Sequence, residues 1–364
     1  MARFGGAANA LAAMLVLATC SAPASTANPG GPSPSPRNAS PTAAATVEAS
    51  ASPAASRAAW SELSGSPGPA PREDHTWTLQ SGGEIALLFG GRDGPTVYRD
   101  LWAYDLVGDA WTLLAPDGPR PPGRFGHSAV WVDGIGLVVF AGQSGSDFYN
   151  DLWAYDPVRN GWRQLPATGG LPVPRYGSCA AIGPDGRLWI SHGFTSEGTR
   201  FADTRAYDFT LSAWTDGTPK GDLPVNRCLH ACWWTSDGRF VLYGGSATGV
   251  TALADEWILS AGAWTKAGDG TPPARNLYAA VKIDPRVTLV FGGQALDGGY
   301  LDDAWLFDEA QATPQPYRLD GSAPPGRSAA EMIFDATGHR ALLFGGKNDS
   351  GTLGDLWVLH LPES

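Results

Sequence analysis

The 364-residue sequence predicts an all-β protein assembled from six similar four-stranded units, and its composition and its repeat period both support this. The chain contains 47 Gly, 30 Pro and 15 Trp, whereas only 17% of its residues are charged. Such a composition favours short strands joined by tight turns over long amphipathic helices. Glycine pairs or their remnants recur with second glycines 48 to 53 residues apart, a period that indicates a repeat architecture.

Each repeat carries the same markers in the same order. The glycine marker lies at Phe89-Gly90-Gly91, Ala141-Gly142, His192-Gly193, Tyr243-Gly244-Gly245, Phe291-Gly292-Gly293 and Phe344-Gly345-Gly346. An aspartate follows in every copy, at Asp100, Asp151, Asp203, Asp255, Asp303 and Asp355. A Trp stands two residues after this aspartate except in the third copy, which has Arg205. A second aromatic residue comes next, at Trp111, Trp162, Trp214, Trp264 and Tyr317.

These markers resemble the Kelch repeat, over nearly all of residues 60 to 361. The resemblance implies a six-bladed β-propeller in which each copy forms one four-stranded blade. The sixth copy ends before a fourth strand, whereas Trp60-Ser61-Glu62-Leu63 precedes the first full copy. We therefore predict that this N-terminal strand completes the last blade and removes an open sheet edge.

The N-terminal region has the layout of an export signal. A basic start, Met1-Ala2-Arg3, precedes an apolar stretch that ends at Cys20, and residues 1–20 are predicted to be a signal peptide. The segment before Cys20 resembles the bacterial lipobox, which implies lipidation of Cys20; the alternative is soluble secretion after cleavage at Ala27. Residues 21–58 are rich in Ala, Ser and Pro and predict a disordered linker, which leaves residues 59–364 for the Kelch propeller. Both alternatives place the protein outside the cytoplasm, with membrane contact only through a lipid anchor.

The net charge limits the classes of partner that the protein can bind, and the cysteines bear on the redox compartment in which it works. A formal net charge of −11 argues against nucleic acid, which basic proteins bind by neutralising phosphates. Cys228 and Cys232 lie four residues apart on one predicted strand, too far to bond to each other. An oxidising compartment would permit Cys179 to pair with either of them, and unpaired buried thiols are the other alternative.

An arginine opens every repeat, and we expect the six to ring one mouth of the central channel. They are Arg72, Arg124, Arg175, Arg227, Arg275 and Arg327. In one interpretation they pair with the six repeat aspartates and clamp the blades. In the other they bind a ligand, because Kelch domains that capture acidic peptides, and Kelch-type enzymes that handle sialic acid, use channel-mouth arginines to grip the anion. Arg124 and Arg175 match that pattern best, and the second interpretation requires their exposure at the channel.

Other candidate residues carry weaker signals. His75, His127 and His230 stand three residues after an arginine, and we expect them to pack between blades and bond to the backbone rather than hold a metal. The sequence has no Walker-type or GxGxxG loop opening a helix and no nucleophile elbow, so no cofactor is predicted.

The function predicted from these features is non-catalytic recognition outside the cytoplasm. The ligand would be a protein or a carbohydrate, anionic if the arginines hold it, bound by the propeller loops and the channel mouth. The alternative is an enzyme acting on an anionic sugar, similar to a sialic-acid mutarotase. It would need an acid/base residue beside the arginines, for which Glu73 and Glu331 are the candidates.

Overall fold

In the computed structural model, the residues described are 58–63, 67–196 and 198–362. The predicted signal peptide with Cys20, and the predicted linker up to residue 57, lie outside them. All regular structure in the described residues is β, and none of it is a helix long and apolar enough to cross a membrane. The all-β prediction is confirmed.

Six antiparallel sheets follow one another along the chain, and each contains four strands in up-and-down order. Blade 1 consists of Thr76–Leu79, Ile85–Phe89, Leu101–Asp105 and Ala110–Leu114. Blade 2 consists of Ser128–Val132, Gly136–Phe140, Leu152–Asp156 and Gly161–Gln164. Blade 3 consists of Cys179–Ile182, Leu188–Phe194, Arg200–Asp208 and Ala213–Asp216. The short segments Thr168–Gly169, Arg227–Cys228 and Ser246–Ala247 enlarge this third sheet to seven strands.

The second half of the ring repeats the pattern. Blade 4 consists of Ala231–Trp234, Phe240–Tyr243, Glu256–Ser260 and Ala263–Gly268. Blade 5 consists of Ala279–Asp284, Val287–Phe291, Ala304–Asp308 and the two-residue strand Gln315–Pro316. Blade 6 takes Glu331–Asp335, Arg340–Phe344 and Leu356–His360 from the end of the chain and Ala59–Leu63 from its beginning.

The N-terminal strand closes the ring as predicted. Ala59–Leu63 pairs antiparallel with Leu356–His360 through five residue pairs. Trp60 is 5% exposed and packs on Phe291 of blade 5, with ring centroids 5.2 Å apart. Ala58, the last residue of the predicted linker, is also buried, and its carbonyl accepts a hydrogen bond from the Asp320 backbone. The propeller therefore includes this residue.

The outer-strand tryptophans supply apolar contact between blades. Trp162 packs on Phe89 of blade 1 and Trp214 on Phe140 of blade 2, each with centroids 5.1 Å apart. Trp111 packs in the same way on Phe344 of blade 6. Burial of such large rings dominates the packing energy of a blade interface.

A closed ring of six backbone hydrogen bonds surrounds the channel where the repeats begin. In each repeat the residue two positions after the arginine donates its N–H to the equivalent carbonyl of the preceding blade, over 2.7 to 3.1 Å. These residues all have φ between 51° and 64°, and they are Asp74, Gly126, Gly177, Leu229, Leu277 and Ala329. Left-handed backbone is uncommon for residues other than glycine, so the ring contacts stabilise it at four of the six positions.

Candidate functional site

The six repeat arginines are structural clamps. Each side chain is at most 1% exposed. Each Nη1 lies 2.6 to 2.9 Å from one carboxylate oxygen of the aspartate in its own repeat, and each Nη2 lies 2.7 to 3.1 Å from the other. Nη1 also donates to the carbonyl of the residue at the first glycine position, and Nε donates to the carbonyl two residues before the arginine.

The aspartates complete the clamp with an indole. Trp102 donates its Nε1–H to Asp100, and the other four Asp-x-Trp sequences make the same bond over 2.6 to 2.8 Å. In blade 3, Arg205 replaces the Trp and donates to Asp203 through Nε. Burial is the strongest single influence on Asp100 and opposes its ionisation, but the hydrogen bonds and charge of Arg72, together with the Trp102 bond, outweigh it and hold the pKa of this carboxyl below its usual value.

The clamp also joins neighbouring blades. The backbone carbonyl of Arg124 accepts a hydrogen bond from Gly91 of blade 1, whereas its side chain binds Asp151 of blade 2. A Cβ at the neighbouring Gly90 would lie 2.6 Å from the Arg124 carbonyl oxygen, so this approach between blades requires glycine there.

These contacts correct the ligand-binding interpretation of the arginines. Arg72, Arg124, Arg175, Arg227, Arg275 and Arg327 do not line the channel, because their guanidinium groups point into their own blades. Neither Arg124 nor Arg175 is accessible to solvent, and access was the condition for gripping an anion. The clamp interpretation fits the geometry.

A surface that we call the loop face lies at the end of the propeller where the repeats begin. It is formed by the residue directly after each glycine marker and the hairpin loop that follows it. Each residue after a marker pairs with the residue directly after the arginine, and those partners are buried except Tyr176. The pairs are Glu73 with Arg92, Phe125 with Gln143, Tyr176 with Phe194, Cys228 with Ser246, Asn276 with Gln294, and Ser328 with Lys347. The backbone pairing repeats, but the side chains change from charged to aromatic to amide.

The charged part of the loop face is a compact network at blades 6 and 1. Glu73 lies 3.1 Å from Arg92 and 3.0 Å from Lys347, and Asp74 lies 3.3 Å from Arg92. Burial raises the pKa of Asp74 to about 6, although Arg92 opposes the shift. Arg92 also stacks over the Phe125 ring at 4.3 Å. The half-buried Arg92 and Lys347 remain accessible from outside.

The aromatic part lies beside it at blades 2 and 3. Tyr176 packs against Phe125 and Phe194, with centroids 5.8 and 6.5 Å apart. Phe148, which pairs with Gln143 at the base of a short hairpin of blade 2, is half-buried and lies 6.1 Å from Phe194. Arg200 lies over the Phe194 ring at 5.3 Å. The loop face thus combines aromatic area with both signs of charge, a composition suited to contact with another protein.

The central channel contains a cavity of about 450 Å³ lined by the first strands of the blades. A smaller cavity of about 110 Å³ lies at the repeat-start end, beside the hydrogen-bonded ring. Glu331, the first residue of its strand, lines both cavities. Burial raises the pKa of Glu331 to about 8, and the nearby Asp74 carboxyl adds to the shift.

The three repeat histidines pack between blades as expected. The His75 ring contacts Phe344 of blade 6, that of His127 contacts Phe89 of blade 1, and that of His230 contacts His192 of blade 3. His127 Nε2 lies 2.9 Å from the Thr76 hydroxyl rather than from a backbone group. Burial lowers the pKa of His127 to about 3. The described part of the chain contains no group of three or more His, Cys, Asp or Glu side chains arranged to hold a metal ion.

Of the pairings left open for Cys179, the structure contains one. Cys179 of blade 3 and Cys232 of blade 4 form a disulfide, with Cα atoms 5.7 Å apart. Both residues line the channel cavity. Cys228 is a buried free thiol whose pKa is raised by burial.

Neither acid/base candidate of the enzyme alternative is paired with a repeat arginine in the described residues. Glu73 is ion-paired with Arg92 and Lys347 instead. Glu331 has no arginine among its hydrogen-bond or ion-pair partners in the described structure.

The sequence reasoning also missed Arg92, Lys347 and Asp74. Comparing the residue after each glycine marker across the repeats would have singled out the first two, because that position varies.

Comparisons with known proteins agree with this architecture. Residues 54–245 match the family model described as the KLHDC2/KLHL20/DRC7 Kelch-repeats domain. The chain is 26% identical over 303 residues to the leucine-zipper-like transcriptional regulator 1 homolog of Drosophila melanogaster, covering 77% of this chain and 30% of that protein. It is 29% identical over 259 residues to Adagio-like protein 3 of Oryza sativa subsp. japonica, covering 66% and 40% respectively.

A third relative is the acyl-CoA-binding domain-containing protein 5 of Arabidopsis thaliana. The chain is 29% identical to it over 163 residues, which cover 44% of this chain and 25% of that protein. The chain spans less than half the length of each of these relatives, all of which are eukaryotic.

Proposed function

Because the chain belongs to the KLHDC2/KLHL20/DRC7 Kelch-repeats domain family, we propose that it is a non-catalytic recognition module that binds a partner protein through its loop face. Kelch propellers are typically protein-interaction modules. One observation carries the assignment of the surface. At positions where the six backbones coincide, the loop face bears charged, aromatic and amide side chains, whereas the clamps repeat in all six blades.

Blade packing does not require this variety of side chains. The pairs at the loop face close the same backbone hydrogen bonds whether their side chains are Glu73 and Arg92 or Asn276 and Gln294. The aromatic residues offer contact area with little rotamer entropy to lose, and the adjacent charges set orientation. A protein surface with apolar and charged parts would complement this face; a carbohydrate ligand is the other class to be tested.

We also propose that the protein works outside the cytoplasm, as a lipoprotein anchored through Cys20 or as a secreted protein. The apolar stretch before Cys20 supports export. The Cys179–Cys232 disulfide supports an oxidising compartment, since reducing compartments keep most thiols free. Metabolic labelling with a radioactive fatty acid tests the anchor: we expect label in the full chain and none in Cys20→Ser. Equal labelling of both would contradict lipidation at Cys20.

The binding surface is tested with one variant on each face of the propeller. A photo-cross-linking residue at position 148 captures the partner from the producing cells, and its affinity is then measured by biolayer interferometry. Phe148→Asp should weaken binding at least tenfold, because it places a charge in the aromatic part of the loop face. Val158→Asp is the matched control, since Val158 is 94% exposed on a hairpin at the opposite face.

The two variants separate the outcomes. Unchanged binding by Phe148→Asp, or equal loss with Val158→Asp, would contradict the loop face as the binding surface. A glycan array probed with the same proteins tests the other ligand class. Glycan binding that is lost in Phe148→Asp, with no protein captured, would replace the protein partner by a carbohydrate.

A further inference from the structure

The channel contains a carboxyl group that breaks the pattern of the repeat. Glu331 stands four residues after its arginine, where the other five repeats have small residues: Thr76, Ser128, Cys179, Ala231 and Ala279. It makes no hydrogen bond or ion pair with any residue that the structure describes. Blade packing is satisfied by a methyl or hydroxyl group at this position, so the architecture does not call for a carboxyl.

The cavity around Glu331 has the dimensions of a ligand site. Its volume of about 450 Å³ falls within the range of small-molecule pockets, roughly 300 to 1,000 Å³. Trp77, Trp233 and Tyr278 line the cavity, with rings that are at most 9% exposed and pack between blades. The half-buried side chains of Leu79 and Phe334 lie at the end of the cavity away from the repeat starts.

The positive charges near the cavity are already neutralised. The six arginines bind aspartates inside the blades. Lys282, which also lines the cavity, donates to the Pro285 carbonyl at 2.8 Å and lies 3.7 Å from Glu309. Burial keeps the pKa of His75 and His230 well below its usual value, so both rings are neutral near pH 7. The carboxyl of Glu331 is therefore without a compensating charge.

We propose that the channel binds a small organic ammonium compound, with the Glu331 carboxylate as its charge partner and Trp77, Trp233 and Tyr278 against its apolar body. One carboxylate neutralises the charge of an ammonium group, and contact with the faces of aromatic rings stabilises its binding further. A metal ion would need several ligating side chains, which the described residues do not bring together here. An anion would meet the acidic Glu331 and Asp74. This site goes beyond the proposed protein recognition and uses different residues.

Isothermal titration of the full chain with benzylammonium tests the site. Wild type should bind benzylammonium at least tenfold more tightly than Glu331→Gln or Glu331→Ala. Benzyl alcohol, the neutral analogue, and benzoate, the anionic one, should bind wild type and variants alike or not at all. Glu331→Ala reproduces the side chain that blades 4 and 5 carry at this position, and its thermal melt by circular dichroism checks that the fold is intact.

The dependence of binding on pH provides a second readout. The titratable groups facing Glu331 are Asp74 and His75 of blade 1, His127 of blade 2, His230 of blade 4, and Tyr278 and Lys282 of blade 5. The pKa of Asp74 is about 6 and that of Glu331 about 8, and the three histidines are neutral. Pairing with a cation at pH 7 should therefore release a proton from Glu331, and affinity should rise up to pH 8 and then level off.

Two results would overturn the proposal. One is equal affinity of wild type and Glu331→Gln for benzylammonium. The other is no binding of benzylammonium to wild type at millimolar concentration at pH 8. Loss of the pH dependence in Glu331→Gln, with a normal melt, would support it. Because Phe148→Asp leaves the channel untouched, its effect on partner binding reports separately on the loop face.

Discussion

Two positions of the repeat, four residues apart in sequence, differ in what they do. The first is an arginine in all six blades, buried to the same extent and held by the same set of partners. The second lines the channel and differs among blades, and in blade 6 it is Glu331. A residue that recurs with the same contacts stabilises the blade. A residue that departs from its equivalents, where the backbone is the same, is free to serve a ligand.

The largest effect should come from breaking ring closure, on which all six clamps depend. A chain lacking residues 58–63 would leave Leu356–His360 as an open edge and remove Trp60 from Phe291. We expect loss of cooperative unfolding and aggregation, measured by thermal denaturation and light scattering. Removal of residues 21–50 is the control and should leave the melting temperature unchanged. A cooperative melt of the strand-deleted chain at the wild-type temperature would show that closure is dispensable.

The clamp itself should give the next largest effect. Arg124→Ala removes the guanidinium from the Ala141 carbonyl and from the Asp151 carboxylate, which keeps its bond from the Trp153 indole. Breaking a buried ion pair by removing one partner costs about 3–5 kcal/mol of unfolding free energy. Urea denaturation measures the loss.

Blade 3 offers the matched control for the clamp. In blade 3, Arg205 stands where the other five blades have a Trp that donates to the repeat aspartate. Arg205→Trp restores that Trp. We expect a change within about 1 kcal/mol, typical of a substitution that keeps the same contact. If Arg124→Ala cost no more than Arg205→Trp, the arginines would not be structural clamps.

Much of the framework is predictable from the sequence because a repeated backbone converts equal spacing into equal contacts. The six units and the closing strand at Trp60 follow from spacing, whereas the pairing of each arginine with its aspartate was one of two interpretations that spacing left open. The direction of the arginine side chains does not follow, because spacing places a residue along a strand without choosing its rotamer. Arg124 was therefore expected at the channel mouth but points into blade 2.

Other features depend on contacts between blades that have no local signal. The hydrogen-bonded ring places Leu229 and Leu277 in left-handed backbone, where the sequence offers no glycine. Cys232, rather than Cys228, meets Cys179 because Cys232 lies on the first strand of blade 4, whereas Cys228 precedes that strand and pairs with Ser246. Glu331 could be named as a glutamate near an arginine, but its isolation in the channel required the positions of all six blades.

The disulfide should contribute a smaller, separable part of the stability. It links blades 3 and 4 across 53 residues, and closing a loop of that size stabilises by about 2–4 kcal/mol. Dithiothreitol should lower the melting temperature of wild type and have no effect on Cys179→Ala/Cys232→Ala. Cys228 should react with iodoacetamide only on unfolding, because it is buried. Alkylation of Cys179 or Cys232 in the native, non-reduced protein would contradict the bridge.

The smallest expected effect tests the channel position through the dependence of stability on pH. Burial raises the pKa of Glu331 to about 8, from an ordinary value of 4.5, so the folded protein holds a proton there that the unfolded chain releases. Stability from this group is fully present below pH 4.5 and is lost as pH rises to 8. Glu331→Gln does not titrate, so its unfolding free energy relative to wild type should rise by about 1–3 kcal/mol between pH 5 and pH 8.5, allowing for water in the channel. Urea denaturation at both pH values measures this. An equal difference at both pH values for Glu331→Gln would mean that the Glu331 carboxyl is solvated in the folded protein.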